Sequence, residues 1–233
     1  MEKIAVCLYG KLDGSYINWT QKIVHNKWKH TSDKIKENII DCNECDVYFH
    51  AFADNIEKEE TLIVNKYNPV KYKIENDIDF SHIYKKHKDY TKLNKHRFWE
   101  NRWAAEHTMV ESINMCLNSD KKYDTIILSR FDYQPNEKYD ISKLDVNILY
   151  MEDNTAKSLL KNGLAGDYMN IGPPHFIKCF ADIYDKTFDF ITFKRNSIHE
   201  EIMIELKKKG GIIYKNIIHL PFKGKVMKYP YNK

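Results

Sequence analysis

The sequence predicts an α/β fold in which helices cover both faces of a mixed, mostly parallel sheet. Short apolar, β-branched runs recur along the chain, segments with helical periodicity separate them, and polar residues directly follow several runs. The chain has 233 residues, which is the size of one large domain or of one domain with an appendage. We therefore expect a single domain over residues 1–233.

The composition excludes several classes of protein. Hydrophobic residues make up 42% and aromatic residues 13%, which is too much apolar surface for a disordered chain. The net charge of +4 is mild; it fits an anionic small ligand but does not by itself indicate nucleic acid. The apolar runs are far shorter than the ~20 residues of a membrane-spanning helix. We expect no membrane span, no secretory signal and a cytoplasmic protein.

The five cysteines are interpreted as reduced thiols. Cys42 and Cys45 form one C-x-x-C, but no second ligand pair of the kind that completes a structural zinc site follows. We expect this pair at a helix end before a strand.

The first buried strand is predicted over Lys3 to Tyr9, ending at Gly10, and the second over Asp46 to Phe52. Val70 to Glu75 has alternating lysines and predicts an edge strand. Residues 76–95 are charged and irregular, as in an exposed insertion or lid, and residues 216–233 form a basic C-terminal tail. Further strands are predicted before Arg130, over Ile148 to Met151 and over Ile212 to Lys215.

The clearest helix is predicted over Arg97 to Asn118, where apolar residues recur on one face. Glu106 lies on the same face, four residues after Arg102, at the spacing of a helical ion pair. Other helices are expected over Tyr16 to His25, from a cap at Ser32 to about Asp41, and over Glu57 to Val64, Pro174 to Tyr184 and Ile198 to Lys209.

Polar residues follow three of the predicted strands, at Gly10 to Ser15, Arg130 to Tyr133 and Glu152 to Asn154. Ligands of open α/β sheets bind at the carboxyl ends of the strands, so these segments predict a binding crevice. Asp132 is placed there to hold a divalent ion on a diphosphate. The alternative is a solvated aspartate in a turn.

Three segments resemble a known family: KIAVCLYGKLDG from Lys3, YDTIILSRFDY from Tyr123, and GDYMNIGPP from Gly166. They are similar to nucleotide-sugar-dependent glycosyltransferases of the GT-A fold, found in large DNA viruses and in bacterial surface-polysaccharide clusters. The resemblance runs in order from Lys3 to about Lys209. It implies a GT-A-like single domain and transfer of a sugar from a nucleoside diphosphate, by analogy uridine diphosphate, to a glycan or other hydroxyl acceptor.

The resemblance also implies site residues. Leu8, Tyr9, Gly10 and Asp13 match the loop that holds the nucleotide. The family's Asp-x-Asp motif, which binds metal and diphosphate, here reads Arg130-Phe131-Asp132, so an arginine replaces the first carboxylate. We expect Mn²⁺ or Mg²⁺ at Asp132; the alternative is that Arg130 neutralises the diphosphate directly.

Other positions follow from the same resemblance. In this family the long helix before the Asp-x-Asp motif contributes polar residues to the donor. His219 and Lys225 lie six residues apart, which is the spacing of a late metal ligand and a diphosphate contact in some GT-A families. Asp167 matches an acidic position near the acceptor and is the first candidate for the catalytic base, with Asp153 competing for that role. The remaining candidates are Arg97, Asn101 and Arg102 on the helix, His219 as metal ligand and Lys225 at the diphosphate.

Two other functions fit the residues less well. A sugar-phosphate nucleotidyltransferase would use a similar sheet, but its first loop is usually rich in glycine, and Leu8 to Gly14 is not. A non-catalytic binder of glycans or RNA would use the 16 Tyr, the 4 Trp and the lysine-rich surface. Polar groups at several strand ends suit a pocket better than a surface stripe, so we expect an enzyme and do not expect nucleic acid as a partner.

Overall fold

The computed structural model describes residues 2–13, 15–17, 23–25, 28–80, 96–151, 168–182, 217–219, 224–226 and 229–230. Within these, it gives the backbone but not the side chains of residues 15–17, 23–25, 96–102, 217–219, 224–226 and 229–230.

The described residues form twelve strands, seven of which build one central sheet. In chain order the strands are β1 (Ile4–Lys11), β2 (Ser15–Ile17), β3 (Ile23–His25), β4 (Asp46–Phe52), β5 (Lys71–Glu75), β6 (Thr125–Arg130), β7 (Tyr133–Pro135), β8 (Leu149–Met151), β9 (Met169–Gly172), β10 (Ile217–His219), β11 (Gly224–Val226) and β12 (Tyr229–Pro230).

The central sheet has the order β10-β8-β9-β6-β1-β4-β5. All of its pairings are parallel except those of β9, which runs antiparallel to β6 and to β8. The predicted mixed, mostly parallel sheet is therefore confirmed, as are the two central strands and the edge position of β5.

Helices flank this sheet. They are α1 (Lys29–Ile35), which continues through a π-helical turn (Lys36–Ile40) into α2 (Asp41–Asn43), then α3 (Ile56–Tyr67), α4 (His96–Leu117) and α5 (Pro174–Ala181). The side chain of Asn55 caps α3 by accepting a hydrogen bond from the Lys58 N–H at 3.2 Å. Cys42 and Cys45 lie at the end of α2, directly before β4, as expected.

The alternation of side chains along β1 explains why the sheet is covered on both faces. Val6 and Leu8 belong to one core cluster, which includes Ile35 before the π-helical turn and Ile63 of α3. Ala5 and Cys7 point the other way, into a second cluster with residues of α4 and α5 such as Met109, Ile113, Ile177 and Phe180. A strand that faces two cores must be apolar throughout, which is the pattern that predicted it.

Two helix predictions near the N-terminus are wrong. Residues expected to be helical between Tyr16 and His25 contain β2 and β3, which pair antiparallel, with Ser15 opposite His25. β12 pairs with β3 and completes a small three-stranded sheet, so long-range pairing outweighs the local helical pattern. Ser32 does not cap a helix either, because α1 begins earlier, at Lys29, and the Ser32 hydroxyl donates to the Lys29 carbonyl at 3.1 Å.

The C-terminal segments return to earlier strands. β10 pairs with β8 in the central sheet, and β11 pairs antiparallel with β7. The helix expected over Ile198 to Lys209, the strand over Ile212 to Lys215 and most of the expected insertion at 76–95 lie outside the described residues. None of the described helices is both long and apolar enough to cross a membrane.

Candidate functional site

The chain reverses its direction of travel across the sheet between β1 and β6. From β1 it passes to β4 and β5 on one side, and α4 then brings it back to β6 on the other side of β1. At such a switch point the connections leave in opposite directions and open a crevice at the carboxyl ends of the strands. Tyr9 lies opposite Arg130 in the register of β1 and β6, so the crevice lies directly beyond these two residues.

Arg130 and Asp132 form a bidentate ion pair at this crevice. The Arg130 Nε donates to Oδ1 of Asp132 at 2.8 Å, and Nη2 donates to Oδ2 at 2.6 Å. The Asp132 side chain is only 6% exposed and that of Arg130 is 22% exposed. The guanidinium also lies over the ring of Tyr168, with Cζ 5.1 Å from the ring centroid. These contacts fix the orientation of the Arg130 fork at the end of β6.

The backbone beside this ion pair is held by contacts to three other segments. The Phe131 N–H donates to the Tyr9 carbonyl at 3.0 Å, and the Arg130 N–H donates to the Tyr168 carbonyl at 3.1 Å. The Thr31 hydroxyl at the start of α1 donates to the Phe131 carbonyl. The turn that carries Asp132 is therefore tied to β1, to the start of β9 and to α1.

The end of β1 presents backbone to the crevice. The side chains of Leu8 and Tyr9 are buried in the two cores, on opposite faces of the sheet. Gly10 follows with a φ of +121°, which L side chains rarely adopt, and a Cβ added there would meet no atom within 4 Å. Gly10 thus leaves open space beside the backbone, where a ligand can approach closely.

Asp13 connects two loops of this edge. Its carboxylate accepts hydrogen bonds from the backbone N–H groups of Asp54 at 2.6 Å and Asn55 at 3.2 Å, so it ties the loop after β1 to the loop after β4. Lys11 pairs with Asp54 and Asp77 in the same region, at 2.9 and 2.5 Å.

The C-terminal candidates lie on strands near the crevice. Lys225 is opposite Gln134 in the pairing of β11 with β7. Gln134 follows Asp132 by two residues along the chain. His219 is opposite Met151 at the carboxyl end of β8 and so lies at the same edge of the sheet as Arg130, three strands away. Arg97, Asn101 and Arg102 lie in the first turns of α4. The side chains of these five residues, and all of Asp153 and Asp167, lie outside the described residues.

A divalent ion at Asp132 would have to share the carboxylate with Arg130. Both carboxylate oxygens already accept hydrogen bonds from a guanidinium, which places a positive charge where the ion would bind. A cation at this carboxylate would compete with the charge of Arg130 in a nearly buried ion pair. Arg130, which stands at the first position of the Asp-x-Asp pattern, therefore binds the carboxylate of Asp132 at the last position.

A second polar group, which was not predicted from the sequence, is formed by His50, Glu75 and His107. Nε2 of His50 and Nε2 of His107 lie 2.9 and 3.1 Å from Oε1 of Glu75. Burial lowers the pKa of His50 to about 4, against the opposing charge of Glu75. Burial acts to raise the pKa of Glu75, but hydrogen bonds from Lys73 and His107 outweigh it and lower that pKa. The signal in the sequence was a histidine within the apolar part of β4, Val47 to Phe52.

No family model matches the chain, and no curated protein matches its sequence. Among solved structures, the galactosyltransferase LgtC with donor and acceptor sugar analogues is similar at 7% identity and a TM-score of 0.48, covering 93% of this chain and 72% of LgtC. Core-mannan synthase A from Aspergillus fumigatus, in a Mn/GDP form, has 10% identity, a TM-score of 0.48 and coverages of 99% and 76%. Mouse xyloside xylosyltransferase 1 has 7% identity, a TM-score of 0.41 and coverages of 94% and 85%.

Proposed function

We propose that this chain is a glycosyltransferase that moves a sugar from a nucleoside diphosphate to a hydroxyl group of a glycan or other acceptor. The observation that carries the proposal is the Arg130–Asp132 ion pair, fixed beside Gly10 at the switch point of the sheet. An oriented guanidinium beside open space suits a phosphate group, because its planar fork of N–H donors matches phosphate oxygens.

The chemistry needs a cationic group at the leaving diphosphate. When the bond between the sugar and the diphosphate breaks, negative charge grows on the phosphate oxygens, and a preorganised donor stabilises it. Arg130 supplies this donor, and Asp132 holds its fork in place through two hydrogen bonds. A guanidinium has five N–H donors, so it can contact a phosphate while it remains bound to Asp132.

The ion pair favours diphosphate neutralisation by protein side chains over a resident metal. Lys225 is the second cation in this proposal, because β11 pairs with the segment that follows Asp132. The open space at Gly10 takes the nucleotide close to the backbone of β1. Asp13 acts by holding together the two loops that border this space.

The acceptor side of the proposal rests on the family resemblance. Asp167 is the first candidate for the base that removes the proton from the acceptor hydroxyl, and Asp153 is the second. A positioned carboxylate base contributes about 10²- to 10⁴-fold to the rate. Uridine diphosphate remains the favoured leaving group by analogy alone.

The test is turnover of a panel of nucleotide-sugars by the full chain, with simple glycosides as acceptors. We expect one donor to release its nucleoside diphosphate and to form a glycoside, both identified by mass spectrometry. Release of pyrophosphate from a nucleoside triphosphate and a sugar phosphate would instead identify a nucleotidyltransferase and contradict the proposal. Salt-sensitive RNA binding without turnover of any donor would also contradict it.

A further inference from the structure

His50, Glu75 and His107, here called the His–Glu cluster, come from three separate elements. His50 lies in β4, Glu75 is the last residue of β5, and His107 lies in α4. One ligand atom from each residue lies within 4.8 Å of the other two. A cluster of this kind is built only by the tertiary fold, because its members are 25 and 32 residues apart along the chain.

His50 lies beside Glu75 but makes no hydrogen bond of normal geometry within the part of the chain that the structure describes. Its side chain is fully buried, and neither ring nitrogen makes a hydrogen bond of normal geometry there. Nε2 lies near Oε1 of Glu75, at 2.9 Å, but does not meet hydrogen-bond geometry with it. Burying a polar ring without such a bond is costly, so an additional group that the ring could bind would relieve the cost.

We propose that the His–Glu cluster binds one transition-metal ion of the zinc class through Nε2 of His50, Nε2 of His107 and Oε1 of Glu75. Ligand atoms about 2.0–2.1 Å from a tetrahedral zinc ion lie about 3.3–3.4 Å apart. The nitrogen–oxygen distances of 2.9 and 3.1 Å are a few tenths of an ångström shorter, and all three ligand atoms lie within 4.8 Å of one another. Side-chain rotations that bring the two imidazole nitrogens to the same spacing would complete the site.

The donor set favours a first-row transition metal over Mg²⁺ and Ca²⁺. Two imidazoles and one carboxylate suit Zn²⁺, Co²⁺ or Ni²⁺, whereas Mg²⁺ and Ca²⁺ prefer sites made of oxygen atoms. Water would take the fourth position of a tetrahedral ion.

The surroundings of the cluster hold its ligands in place. Nζ of Lys73 lies 2.6 Å from Oε2 of Glu75 and leaves Oε1 directed at the histidines. The ring of Phe52 stacks on that of His107 at 5.7 Å and 5°, and Phe80 packs against His107 at 6.2 Å. An outer shell that orients the ligands and excludes water strengthens metal binding.

This metal would be structural and separate from the diphosphate crevice. β4 and β6 lie on opposite sides of β1, and His50 and Arg130 are both in register with Tyr9. The Cα atoms of His50 and Arg130 are therefore about 10 Å apart across the sheet. An ion in the cluster would fasten α4 to the ends of β4 and β5. The inference does not depend on the glycosyltransferase proposal, because it concerns different residues.

The test is metal binding by the full chain after removal of any affinity tag and of metal with a chelator. We expect one equivalent of Zn²⁺ to bind and raise the melting temperature, and Co²⁺ to give the intense visible band of a tetrahedral site. Glu75→Gln and His107→Gln should each weaken Zn²⁺ binding by at least about 100-fold. His175→Gln removes an exposed imidazole outside the cluster and should bind Zn²⁺ as the unchanged protein does.

Circular dichroism of the metal-free variants checks that they fold. Asp132→Asn changes the diphosphate crevice but none of the three ligands of the His–Glu cluster, so it shows at which of the two places Zn²⁺ binds. Retained binding in Asp132→Asn together with lost binding in Glu75→Gln supports the cluster. Zn²⁺ binding that is absent from the unchanged protein, or unaffected by both cluster variants, would overturn the proposal. If His107→Gln and Glu75→Gln do not fold, His50→Gln in the same Co²⁺ titration decides the question by the presence or absence of the band.

Discussion

We expect Arg130→Ala to lower the free energy of unfolding by about 2–4 kcal/mol, because it leaves the nearly buried carboxylate of Asp132 without its guanidinium. Chemical denaturation at neutral pH measures the loss. Lys143→Ala is the matched control: it removes an ion pair to Asp140 in which the lysine is 71% exposed, and it should cost less than about 1 kcal/mol.

A double-mutant cycle separates this ion pair from other effects of the arginine. Asp132→Asn in the Arg130→Ala background removes the charge that the first substitution left unpaired, so the double variant should lose less stability than the sum of the two single variants. A coupling energy near zero, with both single variants folded, would show that the pair does not form in solution.

Arg130→Ala also removes the proposed stabilisation of the leaving diphosphate and should lower kcat/KM for the donor by about 10²- to 10³-fold. Arg130→Lys keeps the positive charge but cannot reproduce the two-pronged contact, so it should recover only part of the rate. The measurement is release of nucleoside diphosphate at a temperature at which both variants are folded.

Lys143→Ala serves again as the control in this assay, because its ion pair with Asp140 is exposed. It should turn over the donor as the unchanged protein does. A folded Arg130→Ala protein with unchanged kcat/KM would remove Arg130 from the catalytic machinery.

The central strands could be predicted because they face two cores. The run from Ile4 to Tyr9 in β1 is apolar at every position, a pattern typical of a strand that is buried on both faces. The strands β2 and β3 could not be predicted in the same way, because β12, the third strand of their small sheet, lies more than 200 residues further along the chain. Local periodicity contains no information about such a partner.

The site was predicted in part. The positions of Arg130 and Asp132 at a strand end followed from the sequence, but their ion pair did not. Residues two apart on a strand point to the same face without necessarily touching, and here Arg130 ends β6 while Asp132 lies in the turn that follows. The turn brings the carboxylate back to the guanidinium, and only the backbone course of that turn shows it.

The His–Glu cluster was missed for a different reason. Its members come from β4, β5 and α4, and no spacing rule connects them. Glu75 has the ordinary appearance of a charged residue on an edge strand, and His107 that of a polar residue on a helix. Tertiary packing alone brings the three side chains together.

The most direct test of the account is the melting temperature of the protein with the nucleotide-sugar panel, measured in a chelator and again with Mn²⁺. A ligand that binds the folded state raises the melting temperature by mass action. Arg130 as the diphosphate group predicts a rise with one donor in the chelator, of similar size with Mn²⁺, and absent in folded Arg130→Ala. A rise that requires Mn²⁺ and persists in Arg130→Ala would contradict the account and place the metal at Asp132.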